Sequence, residues 1–254
     1  MQNRYTGDIG DYGKLGLLRR LRSAGLKIGV NWYLTPNETH NGDGRHIQYL
    51  DKEAYRVCDE PLWTELRAII HSEQRDVREL QKEHILTAAF FTEELSYTGK
   101  TKTERAERRR DWHRAALTRL SGADIVFVDP DNGLMVPSAE GTPRDNKYVA
   151  PAELIDYYRQ GASVIYYQHK ARRPDGFYIN QHKRLLAADG LENAAGSCLK
   201  FTTTSQRYYF FILQPAHREL VLDTLQQMLA SPWSRHFYLC WPYNLNSTTV
   251  QNDA

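Results

Sequence analysis

Two short runs in this chain combine residue types that could do chemistry. The first is Asp129-Pro130-Asp131-Asn132, which sets two carboxylates and a carboxamide within four positions. The second is Gln168-His169-Lys170, followed closely by Arg172 and Arg173. Carboxylate and carboxamide oxygens can accept hydrogen bonds from a substrate amine or, as hard donors, hold Mg2+. The second run offers amide, imidazole and cationic groups to an anionic substrate.

Both runs directly follow apolar, β-branched segments. Residues 123–129 and 163–169 have the composition of strands buried on both faces. Pro130 cannot donate to a sheet ladder and Asn132-Gly133 is turn chemistry, so the first strand stops at Asp129 or just before it. In open α/β sheets the carboxyl ends of strands are where ligands bind.

The surrounding elements can be read in order. Residues 1–14 alternate glycine with aspartate and end in Lys14, the composition of a loop that approaches a ligand closely. A helix over about 11–25 follows, with Gly25 as its cap. A strand at 27–35 runs into a second glycine loop, Gly42-Asp43-Gly44. Residues 51–82 read as helical and 84–91 as a strand. The segment 103–121 is helical and carries Arg105, Arg108, Arg109, Arg110, Arg114 and Arg119, partly offset by Glu104, Glu107 and Asp111. A polar loop at 135–149 leads to a helix from Pro151 to Gln160, and a further helix lies within 175–188. Residues 197–203 and 206–213 form two strands across a very short turn, hence an antiparallel hairpin. A helix at 217–229 and an aromatic tail at 232–243 complete the order.

This succession predicts an α/β fold: a Rossmann-like, doubly wound, mostly parallel sheet with a late antiparallel hairpin strand, in one domain over 1–254 with a helical insertion at about 51–82. The 254 residues are 41% hydrophobic and 25% charged, ordinary for a soluble globular chain. A formal net charge of +2 gives no global argument for nucleic acid, so local clusters must carry it. Cys58, Cys198 and Cys240 are widely spaced, which argues against a zinc ribbon or disulfide framework. No apolar run approaches the ~20 residues that span a bilayer, so the expectation is a cytoplasmic protein without membrane contact.

Three segments, in order, resemble the large-subunit ribosomal-RNA adenine-N6 methyltransferases of the J type. That family has Gly-Asn-x-x-Asp-x-x-Lys before a helix, and this chain has Gly7, Asp8, Asp11 and Lys14 at that spacing. The family's Thr-His-x-Gly-x-Gly-Arg is matched by Thr39-His40-Asn41-Gly42-Asp43-Gly44-Arg45. Its Asp-Pro-Pro-Tyr corresponds to Asp129-Pro130-Asp131-Asn132. The resemblance implies an S-adenosylmethionine site made by Lys14, His40, Gly42 and Gly44, with Asp129 near the transferred methyl group. Position 131 is Asp where the family has Pro. Position 132 is Asn where the family has the tyrosine that stacks on a flipped base.

Three functional readings follow. In the first, a methyltransferase, Asp129, Asp131 and Asn132 orient the acceptor. Gln168, His169, Lys170, Arg172 and the arginine-bearing helix then hold nucleic acid or another polyanion. In the second, a metal-dependent nuclease, Asp129 and Asp131 hold Mg2+ beside Gln168 and Lys170. In the third, the same edge binds a nucleotide or a partner without catalysis.

Overall fold

Apolar runs at 125–128, 163–169, 195–202 and 206–213 dictate the middle of one seven-stranded sheet. The computed structural model describes residues 1–38, 44–203 and 205–241. The strands are β1 (Ile28–Asn31), β2 (Ala89–Phe91), β3 (Ile125–Val128), β4 (Gly133–Leu134), β5 (Tyr148–Val149), β6 (Ser163–His169), β7 (Ala195–Thr202), β8 (Gln206–Leu213) and β9 (Phe237–Trp241). β4 and β5 form a separate parallel pair; the others run in the order β2-β1-β3-β6-β8-β7-β9. β2, β1, β3 and β6 are parallel. β8 is antiparallel to both β6 and β7, and β9 is antiparallel to β7. This is a mixed α/β, Rossmann-like arrangement with the antiparallel strands at one side.

The helices are α1 (Ile9–Ser23), α2 (Glu53–Arg56), α3 (Glu60–His71), α4 (Lys102–Arg119), α5 (Pro151–Arg159), α6 (Asp175–Leu186) and α7 (Pro215–Leu229). Alternation along each strand sends side chains to two cores. Ile125 and Phe127 of β3 join α1, α3 and α7 residues such as Leu18, Leu66 and Leu225. Val126 and Val128 join Trp112 of α4, Leu154 of α5 and Leu185 of α6 on the other face.

The structure corrects two local expectations. The stretch 1–14 is not one loop: α1 begins at Ile9, so Asp11 and Lys14 stand on a helix. Asp8 caps it by accepting from Gly10 N (2.7 Å) and Asp11 N (3.2 Å). The glycines there serve packing. A Cβ at Gly13 would lie 2.7 Å from the Phe201 ring, and one at Gly16 would lie 2.3 Å from Trp233. Nor is 51–82 continuous helix. It divides into a 3-10 turn, α2, α3 and a second 3-10 turn. The break falls where Asp59 caps α3 by accepting from Leu62 N, with Pro61 in the first turn.

Candidate functional site

β3 delivers Asp129 to the sheet's carboxyl edge. Its N–H still donates to Asn31 O (3.0 Å), and Pro130 then ends the pairing. The Asp129 side chain is only 4% exposed and is contacted by the ammonium of Lys14 from α1. Lys14 Nζ also lies 3.0 Å from Asp11 Oδ1. One buried cation therefore serves two buried carboxylates. Burial pushes both carboxyls above the usual range, with Lys14 offsetting part of that rise. Burial alone would depress Lys14, but Asp129 and Asp11 outweigh it and raise the lysine above its ordinary value.

Asp131 has a different partner. Its Oδ1 sits 2.6 Å from the Met1 ammonium, and Gln2 Nε2 donates to Oδ2 at 2.8 Å. Burial would raise this carboxyl, but the ammonium outweighs it and holds it below the ordinary value. The same ammonium donates to the carbonyls of Tyr33 (3.1 Å) and Asp129 (3.0 Å).

The following turn is locked from behind. Gly133 has φ +110°, a conformation open to glycine. The Gln168 amide donates to Asn132 O (2.9 Å) and His169 O (2.9 Å) and accepts from Leu134 N (2.9 Å). Gln168 thus braces the turn and does not line the cleft at this edge of the sheet.

These elements enclose a cleft of about 650 Å³ at the carboxyl ends of β1, β3 and β6. Lys14, Gly44, Asp129, Asp131, Asn132 and His169 all line it, although they span more than half of the chain. Asp8, Asp11, Tyr167, Ser205 and Arg207 line it too. His40 and Gly42 lie outside the described residues. His169, at the exposed end of β6, approaches the Tyr167 hydroxyl through Nδ1 at 3.4 Å.

Lys170 and Arg172 do not line this cleft. Lys170 Nζ donates to Arg173 O (3.1 Å) and pairs with Asp175 at 3.6 Å. Arg172 is exposed. Since successive strand residues point to opposite faces, the cleft receives Tyr167 and His169 and not their neighbours. The Asp129–Asp131–Gln168–Lys170 constellation is therefore not assembled. Among the described residues no group of three or more His, Cys, Asp or Glu is placed to hold a metal ion.

The arginine-rich α4 is also spent largely on its own chain. Arg109 makes a bidentate bond to Glu153 (2.7 Å each) and donates to the carbonyls of Asp145 and Tyr148. Arg105 donates to the carbonyls of Lys100 and Gly141. Arg108 pairs with Glu93 at 2.8 Å, Arg114 pairs with Asp111, and Arg119 donates to Phe90 O. Arg105, Arg108, Arg109 and Arg119 thus fasten α4 to the segments around it, whereas Arg114 pairs with Asp111 on α4 itself.

Sequence reasoning missed Arg207. It stands opposite His169 in the β6–β8 register and is 5% exposed. An arginine inside the apolar run 206–213 was the available signal, because a buried cation needs a reason.

The cleft thus offers a paired carboxylate, a carboxamide, an imidazole and a buried guanidinium around a space of about 650 Å³. Asp129 is already engaged by Lys14 within it. No protein-family model and no curated protein matches this chain.

Proposed function

We propose that this protein is an S-adenosylmethionine-dependent methyltransferase-like enzyme acting on nucleic acid or another polyanionic substrate. The observation that carries the reading is convergence: Lys14, Gly44, Asp129 and Asn132 come from three distant segments and line one cleft of about 650 Å³. The sheet order gives further support. β8 inserts antiparallel between β6 and β7, the arrangement on which Rossmann-like methyltransferases are built.

The lining fits such a cofactor in charge. Arg207 and Asp8 provide opposite charges for a zwitterionic amino-acid tail, and the backbone turn at Asp129-Pro130 lies alongside. When bound, the cofactor would supply an electrophilic methyl group on a sulfonium. The chain's own residues would orient the acceptor. Asp129 and the Pro130 carbonyl would accept hydrogen bonds from its N–H groups, and the Asn132 carboxamide would fix its rotation. Methyl transfer needs this in-line placement and a freed lone pair more than a base. With Asn132 in place of a stacking aromatic, the acceptor is held by hydrogen bonds more than by stacking.

Calorimetric titration with S-adenosylhomocysteine tests the reading. Saturable one-to-one binding, weakened by the cleft-filling His169→Trp substitution, is expected. Absence of binding at millimolar ligand would overturn it.

A further inference from the structure

We infer that Arg207 is the anchor of an oxyanion subsite, taking a carboxylate or phosphate group at the β6–β8 end of the cleft. The inference does not depend on the identity of the cofactor proposed above. Arg207 is 5% exposed and lines the cleft. Its Nη2 donates to the Ser205 hydroxyl. Its Nε is buried and has no hydrogen-bond partner among the described residues. No carboxylate among those residues stands within ion-pair distance of it. Among the described residues, Lys14 has Asp129 and Asp11 as ion-pair partners, Lys200 has Asp175, and Arg109 has Glu153 and Asp145. Tyr167, Asp8, Tyr209 and Asp11 outweigh the burial and keep the guanidinium charged, yet none is in direct ion-pair contact with it, so its buried Nε remains open to an incoming oxyanion.

The surroundings define what arrives. The Phe201 ring lies under the guanidinium carbon at 5.8 Å and fixes its plane. A Cβ at Gly10 would lie 2.2 Å from Arg207 Nη1, so the glycine leaves room for the planar fork at the start of α1. Asp8, the nearest acid across Gly10, spends its Oδ1 on capping α1. Ser205 and Tyr167 line the same cleft, and the Tyr167 hydroxyl lies 3.4 Å from His169 Nδ1. A planar fork beside two hydroxyls matches the bidentate recognition of carboxylate or phosphate oxygens.

The test uses the full chain and two variants. Arg207→Met removes the cation and keeps the volume. Gly10→Ala keeps the cation but pushes its Nη1 aside. Thermal unfolding is followed during titration with inorganic phosphate, against chloride at matched ionic strength. The wild type should show a saturable rise in Tm. The ligand-free Arg207→Met protein should keep the cooperative unfolding transition of the wild type, which makes its phosphate response comparable. Both variants should weaken phosphate binding by roughly 10- to 100-fold, the range for losing charge-assisted hydrogen bonds. Adenosine 5′-monophosphate and S-adenosylhomocysteine then separate the two sources. Arg207-dependent binding of the first assigns a phosphate, and of the second a carboxylate. If phosphate binds through Arg207 but S-adenosylhomocysteine does not bind at all, the subsite stands and the methyltransferase reading falls. No phosphate response in the wild type, or an undiminished response in Arg207→Met, would overturn the inference.

Discussion

Replacing Lys14 with methionine isolates the electrostatic core of the cleft. The substitution keeps most of the side chain's volume and removes the ammonium that contacts both the Asp129 and Asp11 carboxylates. Their side chains are 4% and 1% exposed, so solvent cannot replace it. Removing one partner of a buried ion pair costs about 3–5 kcal/mol, and two stranded acids put this case toward the upper end. For a chain of this size that corresponds to a fall in Tm of roughly 6–20 °C. Urea unfolding at several pH values is the assay. Both carboxyls are already raised by burial, so their folded forms take up protons more readily than the unfolded chain. Their destabilising charge is fully present above the folded pKa and is relieved as pH falls through it. In Lys14→Met both values rise further, and the deficit against wild type should therefore shrink between pH 7 and pH 5. Adding Asp129→Asn to Lys14→Met should restore about 2 kcal/mol, since one of the stranded charges is gone. A deficit below about 1 kcal/mol, a deficit independent of pH, or strict additivity of the two substitutions would refute the reasoning.

Three other substitutions or reactions probe the frame. His182 is fully buried between the Tyr166 hydroxyl (3.0 Å) and Phe211 O (3.0 Å), and burial depresses it to about 3. Its contribution is whole above the unfolded value near 6.5 and is lost as pH falls from there toward 3. Lowering the pH from 7.5 to 5 should therefore narrow the stability of wild type relative to His182→Gln by about 2 kcal/mol, read from urea midpoints. Gly133→Ala forces a side chain into φ +110° and sets its Cβ 2.2 Å from Gln168 Oε1. It should destabilise the chain by about 1–3 kcal/mol in thermal unfolding and loosen the turn that carries Asn132. Cys58 and Cys198 are buried, whereas Cys240 is half-buried and its thiol is lowered by a hydrogen bond from Cys198. Ellman's reagent should titrate one thiol rapidly in the native protein and all three in urea.

Much of this architecture could be read from residue order because it rests on strong periodicities. The strand at 163–169 has the expected bounds, the hairpin pairs antiparallel, and Pro151 opens a helix. The Asp-Pro-Asp-Asn turn was legible because proline and Asn-Gly punctuate a buried strand. Other features were set by tertiary contact. Glycines at 10, 13 and 16 suggest a loop when local propensity is weighed, yet they are where α1 touches Arg207, Phe201 and Trp233. Whether a polar side chain faces a cleft or braces a turn depends on strand parity and neighbours, so His169 lines the cleft while Gln168 and Lys170 do not. The arginines of α4 carry little visible sign of their partners, which are backbone carbonyls and acids as far away as Glu153.

The same close contacts of α1 bear on the order in which the chain can fold during synthesis. Leu15, Leu18 and Leu21 are made early, but α1 is closed over by Phe201 and Trp233. Roughly 200 residues separate the helix from those rings, so at about 5–20 residues per second it waits on the order of 10–40 s for them. During that interval its apolar stripe can be covered only by nearer segments, such as β1 and α3. A nascent chain halted before residue 195 would expose this helix and would lack Arg207. Protection of this helix from aggregation should therefore be completed late, when the hairpin emerges.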